Sequence, residues 1–235
     1  MDDDAKARVD IALQHWVDVR RLQKAAAQNG GRAQEGNRSA VTGGARLDGL
    51  NSLVVEEIKR AGMSDGLTFM TNRRATLAGY YRSSKAWDLA VLKDGQPVLV
   101  VEYKSMSGSE GKNLNNRADE VFGVAEDTRQ AEAHGLLPKG LRRAYVFIMG
   151  ISPESTKPVA IGRLIGQGDP EFSGASYLQR TAIMCRRLRE TGLYDMTWAV
   201  GVQEDPFSWH DPDPRVGWDG LASDIHQAFS HRPTD

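Results

Sequence analysis

The sequence predicts an α/β protein, a central mixed β-sheet flanked by helices, in one domain over residues 1–235 with its core at about 47–202. Three observations point there. Tyr145–Met149 and Met196–Val202 are continuous apolar runs of the kind buried on both faces of a sheet. Trp87–Leu92 and Val98–Lys104 are two further strand-like runs, separated by the turn pair Asp94-Gly95. Around them stand segments whose apolar residues recur at three and four, the helical period.

Taken in order, Ala5, Val9, Ala12, Trp16 and Val19 predict an amphipathic helix over about 4–29, stopped by Gly30-Gly31. Residues 30–46, rich in Gly, Asn, Ser and Arg, read as a loop. A second helix is expected at about 47–61 with Gly62 as its stop, and its apolar stripe is Leu47, Leu50, Leu53, Val54, Ile58 and Ala61. Glu57 falls on that stripe, either as a solvated edge or as a carboxylate aimed into a site. The hairpin follows, then a polar loop at 105–114 and a helix at about 116–134 carrying Val121, Val124, Ala125, Thr128 and Ala131. Another helix at about 175–191 separates the last two strands, and a short one near 219–230 closes the chain. Helix, strand, strand, helix, strand, helix, strand is the order of a mixed sheet covered by helices.

The chain has 235 residues, 40% of them hydrophobic and 26% charged, ordinary values for a soluble globular domain. No apolar run approaches the roughly 20 residues of a membrane span, and the acidic start Met1–Asp4 has the wrong sign for a secretory signal. The single cysteine, Cys185, excludes an internal disulfide and reads as a core thiol; a reducing, cytoplasmic address is expected. The net charge is −1, but the signs are segregated. Arg20, Arg21, Lys24, Arg32, Arg38 and Arg46 oppose only Glu35, and Arg73, Arg74, Arg82 and Lys85 precede Asp88. Segregation of this kind gives a neutral protein a basic cleft, or merely a solvated basic loop. No phosphate-binding loop or dinucleotide fingerprint is present, and the five histidines show no metal spacing.

The chemistry concentrates in the hairpin, where Asp88, Glu102 and Lys104 sit at the ends of strands that are otherwise apolar. Charge placed there is costly unless something binds it. Glu102 and Lys104 emerge on one strand face and Tyr103 on the other. A splay or bend of the strands is expected to bring Asp88 beside Glu102. The two carboxylates and the Tyr103 carbonyl then make a hard oxygen site suited to Mg²⁺, which polarises a phosphodiester and activates water. Lys104 would orient that water or stabilise developing charge. The alternative is a structural ion pair between Glu102 and Lys104.

Four stretches extend this pattern: Gly36–Gly44; Gly79-Tyr80-Tyr81-Arg82 leading to Lys85-Ala86-Trp87-Asp88-Leu89; Val101–Ser105; and Asn115-Asn116-Arg117 with Glu120 and Gly123. Together they resemble the XhoI family of type II restriction endonucleases, within the P-D-(D/E)-x-K nuclease class. The resemblance implies a restriction-endonuclease-like core and a homodimeric, Mg²⁺-dependent enzyme that cuts double-stranded DNA at CTCGAG. A DNA methyltransferase would be its genetic partner. Asp88, Glu102 and Lys104 match the family's catalytic positions, and Glu57 is a candidate further acid. Arg38 or Arg46 would read guanine, and Asn37, Asn115 or Asn116 adenine, while Gly43 and Gly44 let the backbone approach phosphates. Ser39, Thr42, Arg82, Lys85 and Arg117 complete the expected DNA-facing set. Ala45-Arg46-Leu47 and Ser107–Gly111 depart from the family pattern, which leaves the target open. A sequence-indifferent repair or junction nuclease and a catalytically inactive DNA-binding module are the rival readings.

Overall fold

The computed structural model describes the backbone of residues 1–29, 35–63 and 65–230, and the side chains of 1–26, 47–63 and 65–230. In chain order the helices are α1 (Asp3–Asn29), α2 (Glu35–Arg60), α3 (Glu110–Ala133), α4 (Pro153–Thr156), α5 (Tyr177–Glu190) and α6 (Trp218–Phe229). The strands are β1 (Leu67–Thr71), β2 (Thr76–Ala78), β3 (Ser84–Ala86), β4 (Leu89–Lys93), β5 (Gln96–Met106), β6 (Arg142–Gly150), β7 (Met196–Glu204) and β8 (Phe207–His210). Six of them form one sheet in the order β1-β4-β5-β6-β7-β8, and β2 and β3 pair separately. β5, β6 and β7 are parallel; β1, β4 and β8 join antiparallel. The predicted mixed sheet is therefore the observed one.

Strand alternation divides the core into two layers. Val101 and Tyr103 of β5 and Val146 and Ile148 of β6 meet Trp16, Leu53, Ile58 and Trp218, so α1, α2 and α6 cover that face. Met106, Tyr145, Phe147 and Met149 point the other way, toward Val121 of α3 and Leu178 and Cys185 of α5. A third cluster, Ala75, Trp87, Ala90, Val100, Ala131 and Leu141, seats the β2–β3 hairpin against the sheet and the end of α3. The β4–β5 turn uses Asp94 (φ 51°) and Gly95 (φ 79°), the doubly left-handed pair that a two-residue hairpin requires.

Two predicted loops are shorter than expected. α2 begins at Glu35, so most of the segment read as a loop at 30–46 is helix; residues 30–34 lie outside the described residues. Polar, Gly-rich composition argues against a helix only weakly, and extension from the packed Leu50–Ile58 stripe adds a hydrogen bond per residue. Likewise β5 runs on to Met106 and α3 starts at Glu110. The polar loop at 105–114 contracts to a turn at 107–109, with Gly108 at φ 94° and Ser109 at φ 57°. No helix among the described residues is long and apolar enough to cross a membrane.

Candidate active site

The antiparallel register of β4 and β5 pairs Leu89 with Val101 and Ala90 with Val100, so the next position outward sets Asp88 against Glu102. The expected bend is present at Asp88, where the chain leaves the ladder, and the hairpin itself puts the start of its first strand beside the end of its second. The ladder stops at this point. The Asp88 amide donates to the Val101 carbonyl at 3.2 Å, and its side-chain Oδ2 accepts the Tyr103 N–H at 2.8 Å. A strand residue sends its N–H and C=O to the same side, so the Tyr103 carbonyl also points past the end of β4, toward Asp88. The Tyr103 ring lies in the opposite core layer, as the alternation requires.

Glu102 is buried, 4% exposed, and both its oxygens are engaged by lysines. Lys104, two residues on along the same strand, contacts Oε1, and Lys85 of β3 donates to Oε2 at 2.7 Å. Lys85 also donates to the Ala86 carbonyl at 2.7 Å and lies 5.1 Å from the centre of the Trp87 ring. Among the described residues, no lysine forms an ion pair with Asp88. Burial first, and the Glu102 charge second, push its carboxyl up from 3.8 to about 6, against the opposing pull of the Tyr103 amide and both lysines. Two acids on adjacent strands, one of them electrostatically penalised, plus a backbone carbonyl aimed at the same place, fit a hard divalent cation. The described residues hold no cluster of three His, Cys, Asp or Glu side chains that would bind a metal without such a carbonyl.

The remaining expected residues scatter. Asn37, Arg38, Ser39, Thr42, Gly43, Gly44 and Arg46 lie on the backbone of α2, and their side chains fall outside the described residues. Asn115 and Asn116 are exposed on α3 rather than on a loop, and Arg117 pairs with Glu120 one turn on. Arg82 contacts buried Asp127 of α3 at 3.1 Å. The other Asp127 oxygen accepts the Tyr80 and Tyr81 amides at 3.0 and 2.6 Å. Gly79 completes this anchor, since a Cβ there would stand 2.6 Å from Arg82 Cγ and 2.9 Å from the Asp127 carboxylate.

Glu57 is not brought to the group. It sits with α1 and α6, held by Arg8 and by His226 at 2.6 Å, on the face of the sheet opposite Glu102. Its helix stripe faces the α1–α6 layer, so an acid on that stripe meets the helix partners and not the strand ends. Part of the expected basic cleft is also committed elsewhere. Arg20 and Lys24 pair with Glu204 at 3.0 and 3.1 Å, and Arg21 donates to the Glu204 carbonyl, fastening α1 to the end of β7. Sequence reasoning missed Asp127 and the Lys85–Glu102 contact. The first carried a signal, an acid on the apolar face of α3 between Val124 and Ala131.

Comparison with known proteins places this chain in a family. The profile described as "Restriction endonuclease XhoI" matches residues 26–225. The type II restriction enzyme BstVI of Geobacillus stearothermophilus is 36% identical over 161 residues, 65% of this chain and 71% of that protein. The type II restriction enzyme XhoI of Xanthomonas vasicola is 35% identical over 67% of this chain and 65% of its own length. The type II restriction enzyme AbrI of Azospirillum brasilense is 34% identical over 47% of this chain, and this chain spans about half of it, 51%. No solved structure matches. With all six strands of its sheet inside the matched span, and the paired acids on that sheet, the chain belongs to the XhoI restriction endonuclease family.

Proposed function

We propose that this chain is a Mg²⁺-dependent type II restriction endonuclease that hydrolyses both strands of double-stranded DNA at a short palindrome, CTCGAG in the family it resembles. The observation that carries the reading is the meeting of Asp88, Glu102 and Lys104 where β4 begins and β5 runs on past it. Asp88, Glu102 and the Tyr103 carbonyl would hold the metal. When bound, the ion supplies Lewis-acid polarisation of the scissile phosphate and a more acidic water. The protein's own residues do the rest. Tyr103 N–H fixes the Asp88 carboxylate, and the rigid strand fixes Glu102. Lys104, 27% exposed and in contact with Glu102, would orient the attacking water or stabilise charge developing on the phosphate.

A two-fold homodimer would match the symmetry of a palindrome, each subunit cutting one strand. Asn115, Asn116 and, from α2, Arg38 and Arg46 are the proposed base-reading residues. A DNA methyltransferase of the same specificity would protect the host chromosome, in the cytoplasm. Digestion of DNA of known sequence with Mg²⁺, followed by sequencing of the ends, tests activity, target and overhang together. Discrete fragments sharing one sequence at their ends are expected. Cutting without a common sequence would indicate a sequence-indifferent nuclease, and tight binding with no cutting at any Mg²⁺ concentration would indicate a binding module.

A further inference from the structure

Glu102 has more counter-charge than one acid needs. Lys104 is already supplied by the same strand, yet Lys85 reaches Oε2 from a separate element, the β2–β3 hairpin. That hairpin is small and exposed on its outer side. Arg73 and Arg74 before it are exposed, as are Tyr80 and Tyr81 at its connection, 41% and 67%. A surface of exposed guanidinium groups and aromatic rings suits a polyanion.

We propose that Lys85 is a counter-ion released by DNA, which keeps a divalent cation off Glu102 until a phosphate group draws the lysine away. The inference rests on the nuclease reading given above and names what couples substrate to metal in that site. The charges make the case. Asp88 and Glu102 bring two negative charges, and Lys85 and Lys104 bring two positive ones, so the group is balanced as it stands. A divalent cation entering alone leaves a twofold positive excess at a largely buried place. Two backbone phosphates entering alone leave the opposite excess. Arriving together they cancel, and the lysine best placed to follow the phosphate is the one on the exposed hairpin.

Lys85 can also leave without being stranded. Its ammonium already donates to the Ala86 carbonyl and lies against Trp87, contacts that belong to its own hairpin and do not depend on Glu102. Among the described residues Lys104 makes no second hydrogen bond or ion pair, and it is carried by a strand paired on both sides within the sheet. Of the two lysines, Lys85 is therefore the movable one. Its side chain is 16% exposed against 27% for Lys104, so what sets Lys85 apart is its place on a separate hairpin and not its accessibility.

Ca²⁺ titration by calorimetry, with and without a short duplex containing CTCGAG, tests this on the wild type, Lys85→Gln and Lys85→Arg. Loss of a partly buried ion pair should tighten DNA-free Ca²⁺ binding in Lys85→Gln by about fivefold or more. The duplex should tighten Ca²⁺ binding to the wild type by about tenfold and to Lys85→Gln by less than about threefold, since the barrier is already gone. Lys85→Arg keeps the charge and should keep the coupling. Lys85→Met is a second neutral variant, to be used if thermal unfolding shows Lys85→Gln to be misfolded. Equal DNA-free affinities in wild type and neutral variant, or equal tightening by the duplex, would overturn the proposal. Plasmid cutting by the wild type with Mg²⁺ is read alongside. Cutting without a Lys85-dependent shift removes the counter-ion role, and a Lys85-dependent shift in a protein that cuts no DNA removes the nuclease reading instead.

Discussion

Replacing Asp88 by Asn should make the metal-free protein more stable at neutral pH, although it removes a proposed metal ligand. Asn keeps an oxygen to accept the Tyr103 N–H and removes only the charge. The Asp88 carboxyl titrates at about 6 in the folded chain against 3.8 for an unperturbed aspartate, raised by burial and then by Glu102. A carboxyl raised on folding binds its proton more tightly in the native state. Stability is then complete below about pH 4 and falls as pH rises toward about 6. The interval between 3.8 and about 6 is worth about 3 kcal/mol, at about 1.4 kcal/mol per pH unit. That is a large share of the stability of an ordinary domain. Urea unfolding in chelator at pH 4 and pH 8 measures it. Wild type and Asp88→Asn should unfold together at pH 4 and separate by up to about 3 kcal/mol at pH 8, the variant being the more stable. Mg²⁺ at pH 8 should stabilise the wild type and not the variant. A variant less stable than the wild type at pH 8 would refute the reasoning, because it would mean that Lys85 and Lys104 attract the Asp88 charge more than burial and Glu102 oppose it.

Lys104→Ala should lose Mg²⁺-dependent cutting by at least about a hundredfold while duplex binding, followed by gel shift in Ca²⁺, stays within a few fold; parallel loss of binding would mark the residue as structural. Glu57→Ala leaves Arg8 and His226 without their shared acceptor, and about 3 kcal/mol of stability should be lost in urea melts, with cutting per folded molecule unchanged. A specific loss of cutting there would restore Glu57 to the site. Asp127→Ala should free the Gly79–Arg82 loop, seen as faster amide exchange at Tyr80 and Tyr81 and a destabilisation of about 2 kcal/mol; unchanged exchange at both amides would rule out the anchor.

The sheet was legible because its strands are pure signals. Tyr145–Met149 and Met196–Val202 have no helical reading, and Asp94-Gly95 marks its own turn. The acids at the hairpin mouth were legible for the same reason, since charge breaks an apolar run visibly. Their convergence follows from the hairpin register together with the bend at Asp88. Helix starts were harder to read. Glu35–Arg46 and Glu110–Asn115 carry no apolar periodicity, so their helical state comes from extension of packed neighbours. β1 and β8, five and four residues long, lie at the sheet's edges with only half-buried alternation, and such strands leave a weak imprint. Glu57 and Asp127 make an instructive pair. Both are acids on apolar stripes, but only the layer each stripe faces decides its role, and that layer is set by topology. The Lys85–Glu102 contact spans two hairpins and leaves no local pattern at all.

Asp127 does more than satisfy a loop. It stands in the last third of α3, and the same helix presents Asn115 and Asn116 near its start, about 18 Å away at 1.5 Å per residue. The loop it grips runs directly through β3 into Asp88. A helix with its start at the surface and its later turns tied to the approach to the acids would act as a lever. A tilt imposed at Asn115 would then reach the loop that leads into Asp88, so a mismatched surface at the far end would disturb the acids without touching them.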